Sequence, residues 1–285
     1  MCQLLPKNKL IYFYKLLVPV CFLPYILRIE FKNTKKLTGL NNMKKPNGII
    51  FYEGPSILDG QPIAVIGVLK SNNKKTGNMI QYFIIRSDVD PVTASKQELD
   101  ASICGACVHR QSLGGGCYVN IGQSVLSVYK AYKRGSYPNK TSEHDKYLKG
   151  RAMRFGSYGD PAAAPFQIWN GLKALASITT GYTHQLMHPN FNDKILESCM
   201  VSADTPKAAL KSHGKNYRTF RVKTPDSPFL ENEVECLADS QGIQCIDCGL
   251  CNGIGDKPNI AINVHGTLKG RYINKYSKAN IIAVG

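Results

Sequence analysis

Acidic residues are scarce in this chain of 285 residues: 20 Asp and Glu face 36 Lys and Arg, a formal net charge of +16. The excess points to a polyanionic neighbour and says nothing of fold. No internal repeat or low-complexity tract is present. With 43% apolar and 20% charged residues, the chain is neither disordered nor collagen-like. Ten cysteines are too few for this length to be a secreted disulfide scaffold. The glycine-rich SLGGGCY (112–118) lacks a following Lys-Ser/Thr, which argues against nucleotide hydrolysis. Its glycines suit close approach of the backbone to a bound group instead.

An unbroken apolar run is also missing. A spanning helix needs about 20 predominantly apolar residues. Residues 10–29 (LIYFYKLLVPVCFLPYILRI) come nearest, but Lys15, Pro19 and Pro24 interrupt them and Lys7, Lys9 and Arg28 flank them. A signal peptide would end in a small-residue cleavage site, and none follows. Residues 1–42 hold seven basic residues and one acid, so they carry +6 of the +16. Three readings stand: a targeting or membrane-contacting segment, an extension outside the folded domain, or a start placed upstream of the true one at Met43. From MKKPNGIIFYEGPS onward the chain reads as one α/β metal-binding domain, residues 43–285. Closely spaced cysteines that stay reduced act as metal ligands, which favours the cytoplasm.

Residues 62–70 (PIAVIGVLK) and 79–86 (MIQYFIIR) are β-branched runs separated by SNNKKTGN, the pattern of a hairpin with a long basic loop. Residues 121–135 carry Val125, Val128 and Tyr132 at helical spacing and stop on Gly135. The pattern then alternates. Strands are expected at 151–160, 181–187, 195–204, 216–223 and 259–266, and helices at 161–178 and 205–214. Alternation of this kind predicts a mainly parallel sheet covered by helices, either open or a partial βα barrel, behind an N-terminal β-hairpin and ahead of a cysteine-rich C-terminal segment. In both forms the active residues gather at the carboxyl ends of the strands.

The cysteines sort into three sets. Cys2, Cys21 and Cys199 stand alone and read as small apolar residues. Cys104, Cys107 and Cys117 form C-x2-C-x9-C, and Cys236, Cys245, Cys248 and Cys251 form C-x8-C-x2-C-x2-C. Two thiolates separated by two residues can turn back on one metal, in zinc sites and in iron–sulfur sites alike. The second set supplies four thiolates, and three ligands on one turn suit a four-iron cluster better than a tetrahedral zinc ion. The first set supplies three. An iron left open there can bind substrate or cofactor, whereas a fourth ligand from His109 would close a Cys3His zinc knuckle.

A three-cysteine loop before a helix, a Gly-acid-Pro turn in GSYGDP (156–161), further βα units and a cysteine-rich end follow one another in an order similar to the radical S-adenosylmethionine enzymes. The resemblance spans residues 100–255. It implies a four-iron cluster on Cys104, Cys107 and Cys117, with the amino group of S-adenosylmethionine at Gly159, Asp160 and Pro161. Ser202 and Asp204 would lie near the ribose, and an auxiliary cluster would sit on Cys236, Cys245, Cys248 and Cys251. The chain departs from the family in its C-x2-C-x9-C spacing, in Tyr118 following rather than preceding the last cysteine, and in Asp160 standing where Glu is usual. Strings such as GPSILDGQPIAVI, RSDVDPV, ASICGACVHR, CYVNIGQ, YGDPAAAP and TGYTHQ also resemble an uncharacterised family of phage and prophage proteins. That resemblance covers nearly the whole chain after residue 50 and implies a host-cell cytoplasmic setting.

His184, near a strand end in TGYTHQ, is a candidate site residue, with His265 the weaker one. Arg218 and Arg221 are expected to share a face that meets a carboxylate or phosphate, or to form structural ion pairs. Trp169 is expected in the core. The stretches NNMKK, SNNKK and YKAYKRGSYPNK mix basic residues with tyrosine, which suits nucleic-acid contact. Two functions are therefore expected as alternatives. One is an iron–sulfur enzyme resembling the radical S-adenosylmethionine class; the other is a non-catalytic zinc- or cluster-binding phage protein that contacts nucleic acid.

Overall fold

The computed structural model describes residues 45–253 and 255–282, with side chains through Tyr276. The apolar stretch 10–29, Cys2 and Cys21 lie outside the described residues. No helix among the described residues is long and apolar enough to cross a membrane.

The first half runs β1 (Gly48–Pro55), β2 (Pro62–Val68), β3 (Ile80–Arg86), α1 (Pro91–Lys96), α2 (Ala101–Cys104), α3 (Leu126–Lys133), β4 (Ala152–Tyr158) and α4 (Phe166–Leu175). Then come β5 (Ile178–Thr180), β6 (Tyr182–Thr183), β7 (Met200–Ala203), α5 (Pro206–His213), β8 (Thr219–Lys223), β9 (Glu233–Glu235), α6 (Leu237–Ser240), α7 (Cys245–Cys248), β10 (Asn259–Asn263) and α8 (Lys269–Ile282).

The class is α/β, with one mixed and one parallel sheet. In the first, ordered β1-β2-β3-β4-β5, the β1–β2 and β2–β3 pairs are antiparallel and the β3–β4 and β4–β5 pairs parallel. The second, ordered β6-β7-β8-β10-β9, is parallel throughout. Only Gly181 separates β5, which pairs with β4, from β6, which pairs with β7, so residues 178–183 belong to both sheets. A side chain on Gly181 would meet Cys199 Sγ, which is why the crossing point carries none.

All seven residues of β3 are buried, so its apolar run is continuous rather than alternating, as expected of a strand covered on both faces. Trp169 on α4 is fully buried. Its ring lies 4.8 Å from Phe155 and 6.0 Å from Tyr82, and its Nε1 donates to Pro161 O at 2.7 Å. That single bond ties α4 to the turn leaving β4.

Several expected boundaries shift for local reasons. The helix expected over 161–178 is a short 3-10 turn at Pro161–Ala163 followed by α4, because Pro165 cannot donate within a continuous helix and resets it. The strand expected at 181–187 is shorter and shared between sheets, and residues 193–197 form a 3-10 turn instead of opening a strand. The hairpin loop SNNKKTGN is no free basic arm. Its carbonyls at Lys74, Lys75 and Thr76 accept hydrogen bonds from Gln244 Nε2, Cys245 N and Ile246 N, and so carry the start of α7.

Candidate metal centres

Four loops leave the carboxyl ends of the parallel strands β3, β4, β6 and β7 and meet on one rim. After β3, α2 ends at Cys104 and turns on Gly105, whose φ of 50° admits no ordinary side chain cheaply. Cys107 N donates to Cys104 O at 3.1 Å, which brings the two thiols round. The chain then returns through the glycine triplet, and Cys117 N donates to His109 O at 2.9 Å. A side chain on Gly115 would clash with the His109 carbonyl, so this glycine lets the loop fold onto itself. Arg110 and Asp100, both buried, pair at 2.6 Å beneath the loop. Burial pushes the Cys104 thiol well up and Cys117 to about 11, and neighbouring thiolates add to both. Buried thiols of this kind need a cation to deprotonate.

After β4, Asp160 N donates to Ile103 O at 2.6 Å. The Asp160 carboxylate is buried and accepts from Ala162 N (3.0 Å), His184 N (2.7 Å) and Gln185 Nε2 (3.0 Å). It thereby tethers the exit of β6 to the turn after β4. Gln185 is the residue that sequence reasoning missed. It is buried, its Nε2 also donates to Cys104 O (2.9 Å), and its Oε1 accepts from Ala106 N (3.1 Å). It thereby clamps the cysteine loop to Asp160. A polar residue directly after a candidate histidine was the only signal.

His184 and Asp204 do come together, and they bring His109 with them. His184 Nε2 lies 3.2 Å and His109 Nε2 2.8 Å from Asp204 Oδ1. Burial raises the Asp204 carboxyl, but the two imidazoles outweigh it and hold the group well below the usual carboxylate range. Burial likewise opposes the charged form of His184, and Cys107 and Asp204 outweigh it. The Asp204 carboxylate is thus engaged by both histidines. Ser202 sits half-buried in β7, opposite Phe220 of β8. His109 does not complete a Cys3His group. Among the described residues, the one set of three His, Cys, Asp or Glu side chains whose ligand atoms all lie within 4.8 Å of each other is His109, His184 and Asp204.

The second cysteine set surrounds one pocket. Cys236 follows β9, Cys245 and Cys248 lie on α7, and Cys251 follows Gly249, whose φ of 63° ends that helix. All four line one pocket together with Thr180, Tyr182, Leu237, Leu250 and Ile260. Burial pushes Cys251 up to about 12. Arg218 donates to Leu250 O (2.8 Å) and to Pro258 O (2.6 Å), fixing the loop that carries Cys251. Arg221 instead pairs with Glu233 in the core, so the two arginines do not form a shared anion-binding face. His265 takes a place beside this region, with Nε2 3.3 Å from Lys75 Nζ.

Each cysteine set has one buried hydroxyl without a partner. Thr180 Oγ1 lies in the wall of the four-cysteine pocket. Tyr158 Oη is close enough to Cys104 and Cys117 for their charges to raise it further, burial being the larger cause. An orphaned buried donor calls for an explanation, and an acceptor held by the cysteines is one. Arg154, also buried, links the two regions. Its guanidinium donates to Tyr118 Oη at 2.7 Å, next to Cys117, and sits 5.4 Å from the Tyr182 ring beside Cys251. Comparisons with family models, with curated proteins and with solved structures give no match to this chain.

Proposed function

We propose that this protein is an iron–sulfur protein with two centres, a three-cysteine site at Cys104, Cys107 and Cys117 and a four-cysteine site at Cys236, Cys245, Cys248 and Cys251. The observation that carries the reading is the convergence of Cys236, Cys245, Cys248 and Cys251 on one pocket, with Thr180 in its wall and the Thr180 hydroxyl without a partner. A tetrahedral zinc ion holds its sulfurs at about 2.3 Å, hence about 3.8 Å from each other. Among the described residues, no three cysteine sulfurs lie within 4.8 Å of one another. A cluster spreads its ligands over several irons and suits the wider spacing.

His109 Nε2 lies 2.8 Å from Asp204 Oδ1, which supports a three-cysteine site whose iron stays open to an exogenous group. By resemblance that group would be S-adenosylmethionine, and a cluster held by Cys104, Cys107 and Cys117 would supply the electron for its reductive cleavage. The finer fold reading, a partial parallel βα barrel, is supported by residues 178–183 joining the two sheets into one run of parallel neighbours. In this arrangement Gly159 and Pro161 shape the turn next to the cluster loop, with Asp160 as its anchor. The Asp100–Arg110 pair and Gln185 hold the thiols in place, and Arg154 supplies a buried positive charge beside the second centre.

The alternative, a non-catalytic zinc- or cluster-binding protein on nucleic acid, draws on the +16 charge and on α3. There Lys130, Lys133 and Arg134 are exposed and Lys133 Nζ lies 6.0 Å from the rings of Tyr129 and Tyr132. Full-length protein purified without oxygen separates the two. Iron with matching acid-labile sulfide, visible absorption bleached by dithionite, and S-adenosylmethionine binding lost in Cys117→Ser but kept in Cys245→Ser are expected. A colourless protein holding zinc and no sulfide, with nucleic-acid affinity falling steeply as salt rises, would establish the alternative.

A further inference from the structure

We propose that His109, His184 and Asp204 form a third site, adjoining the three-cysteine loop but using none of its thiols, that binds a single divalent transition-metal ion. The three residues come from three different segments: the cysteine loop, the exit of β6 and the exit of β7. Their ligand atoms nevertheless lie within 4.8 Å of one another. Metal–ligand distances of about 2.0–2.2 Å place neighbouring donors about 3 Å apart, so small side-chain rotations close the set on an ion.

Hydrogen bonding alone leaves this arrangement incomplete. Both Nε2 atoms converge on the same oxygen, Asp204 Oδ1. His109 Nε2 is buried and 2.8 Å away, yet it makes no aligned hydrogen bond. Two neutral imidazoles and one carboxylate directing lone pairs at a shared cation would satisfy all three. The rings are also held from behind. Tyr272 stacks on His109 at 5.4 Å and anchors itself by donating to Val222 O at 2.6 Å. His184 is fixed through its backbone by Asp160, and His109 O accepts from Cys117 N.

Two imidazoles with one carboxylate select zinc or ferrous iron over magnesium or calcium, which prefer oxygen alone. Three protein ligands leave coordination positions open to water or a substrate oxygen, as in catalytic rather than structural sites. The position is the rim at the carboxyl ends of parallel strands, where α/β proteins bind their ligands.

Titration of the full chain, its cysteine sites already filled with cluster or with zinc, with Co²⁺ under anaerobic conditions tests this by metal analysis, so the outcome does not depend on the iron–sulfur reading. One Co²⁺ per chain should bind in addition to the metal already present, with no added thiolate charge-transfer absorption. Asp204→Asn, nearly isosteric, and His184→Gln should each weaken that binding at least tenfold while keeping the wild-type circular dichroism. No saturation at millimolar Co²⁺, or binding that Asp204→Asn leaves unchanged, would overturn the proposal. So would a thiolate charge-transfer band as the only signal, a result read on the wild type alone if the variants fail to fold.

Discussion

Replacing Gln185 by Leu removes the clamp between the first cysteine loop and Asp160 while keeping most of the side-chain volume. Three hydrogen bonds disappear: Nε2 to Cys104 O, Nε2 to Asp160 Oδ2, and Ala106 N to Oε1. At about 0.5–1.5 kcal/mol net for each, with the bond to the carboxylate at the upper end, the loss is about 3 kcal/mol. For a domain of this size each kcal/mol moves Tm by about 2–4 °C, so thermal unfolding should shift down by about 6–12 °C. Gln185→Glu should be worse at neutral pH, because it sets a second carboxylate against Asp160. Metal analysis supplies an independent readout: the metal of the three-cysteine site should be lost or weakened, and that of the four-cysteine site retained. A Tm within about 2 °C of wild type, well below the shift expected for three bonds, would refute the assignment of Gln185 as a clamp.

Two further outcomes follow from packing. Gly115→Ala should collapse the first centre, since its Cβ would meet the His109 carbonyl, at a cost of about 1–3 kcal/mol or more from overpacking. Gly171→Ala at an exposed position of α4, where a Cβ meets nothing within 4 Å, should instead gain about 0.5–1 kcal/mol; chemical denaturation reads both. Arg221→Met should cost about 3–5 kcal/mol, because it strands Glu233 in the core without its partner. Adding Glu233→Leu should then recover part of the loss, a double-mutant cycle that would fail if the pair were merely incidental.

The sequence by itself determined which residues belong to the cysteine sets, the α/β class and the hairpin at 62–86. These are local properties: ligand spacing, β-branched runs and alternating periodicity follow from the order of residues. Thr205 ahead of Pro206 marked the start of α5 for the same reason, and its hydroxyl accepts from Ala208 N. Even the burial of Trp169 was legible from its helical spacing with Leu172. What the tertiary structure alone decided is which distant residues meet. His109 reads as a fourth ligand for its neighbouring cysteines, yet the turn through Gly115 aims it at Asp204, 95 positions away in the chain. Asp160 and Asp204 look equally available as ligand contacts in sequence. One accepts from backbone amides and Gln185, and the other faces two imidazoles that converge on its Oδ1. The long basic hairpin loop also serves as the shelf for α7, a contact that its composition does not announce. In each case the deciding term is the pairing of buried polar groups, which depends on how strands are ordered in the sheets and which no local pattern encodes.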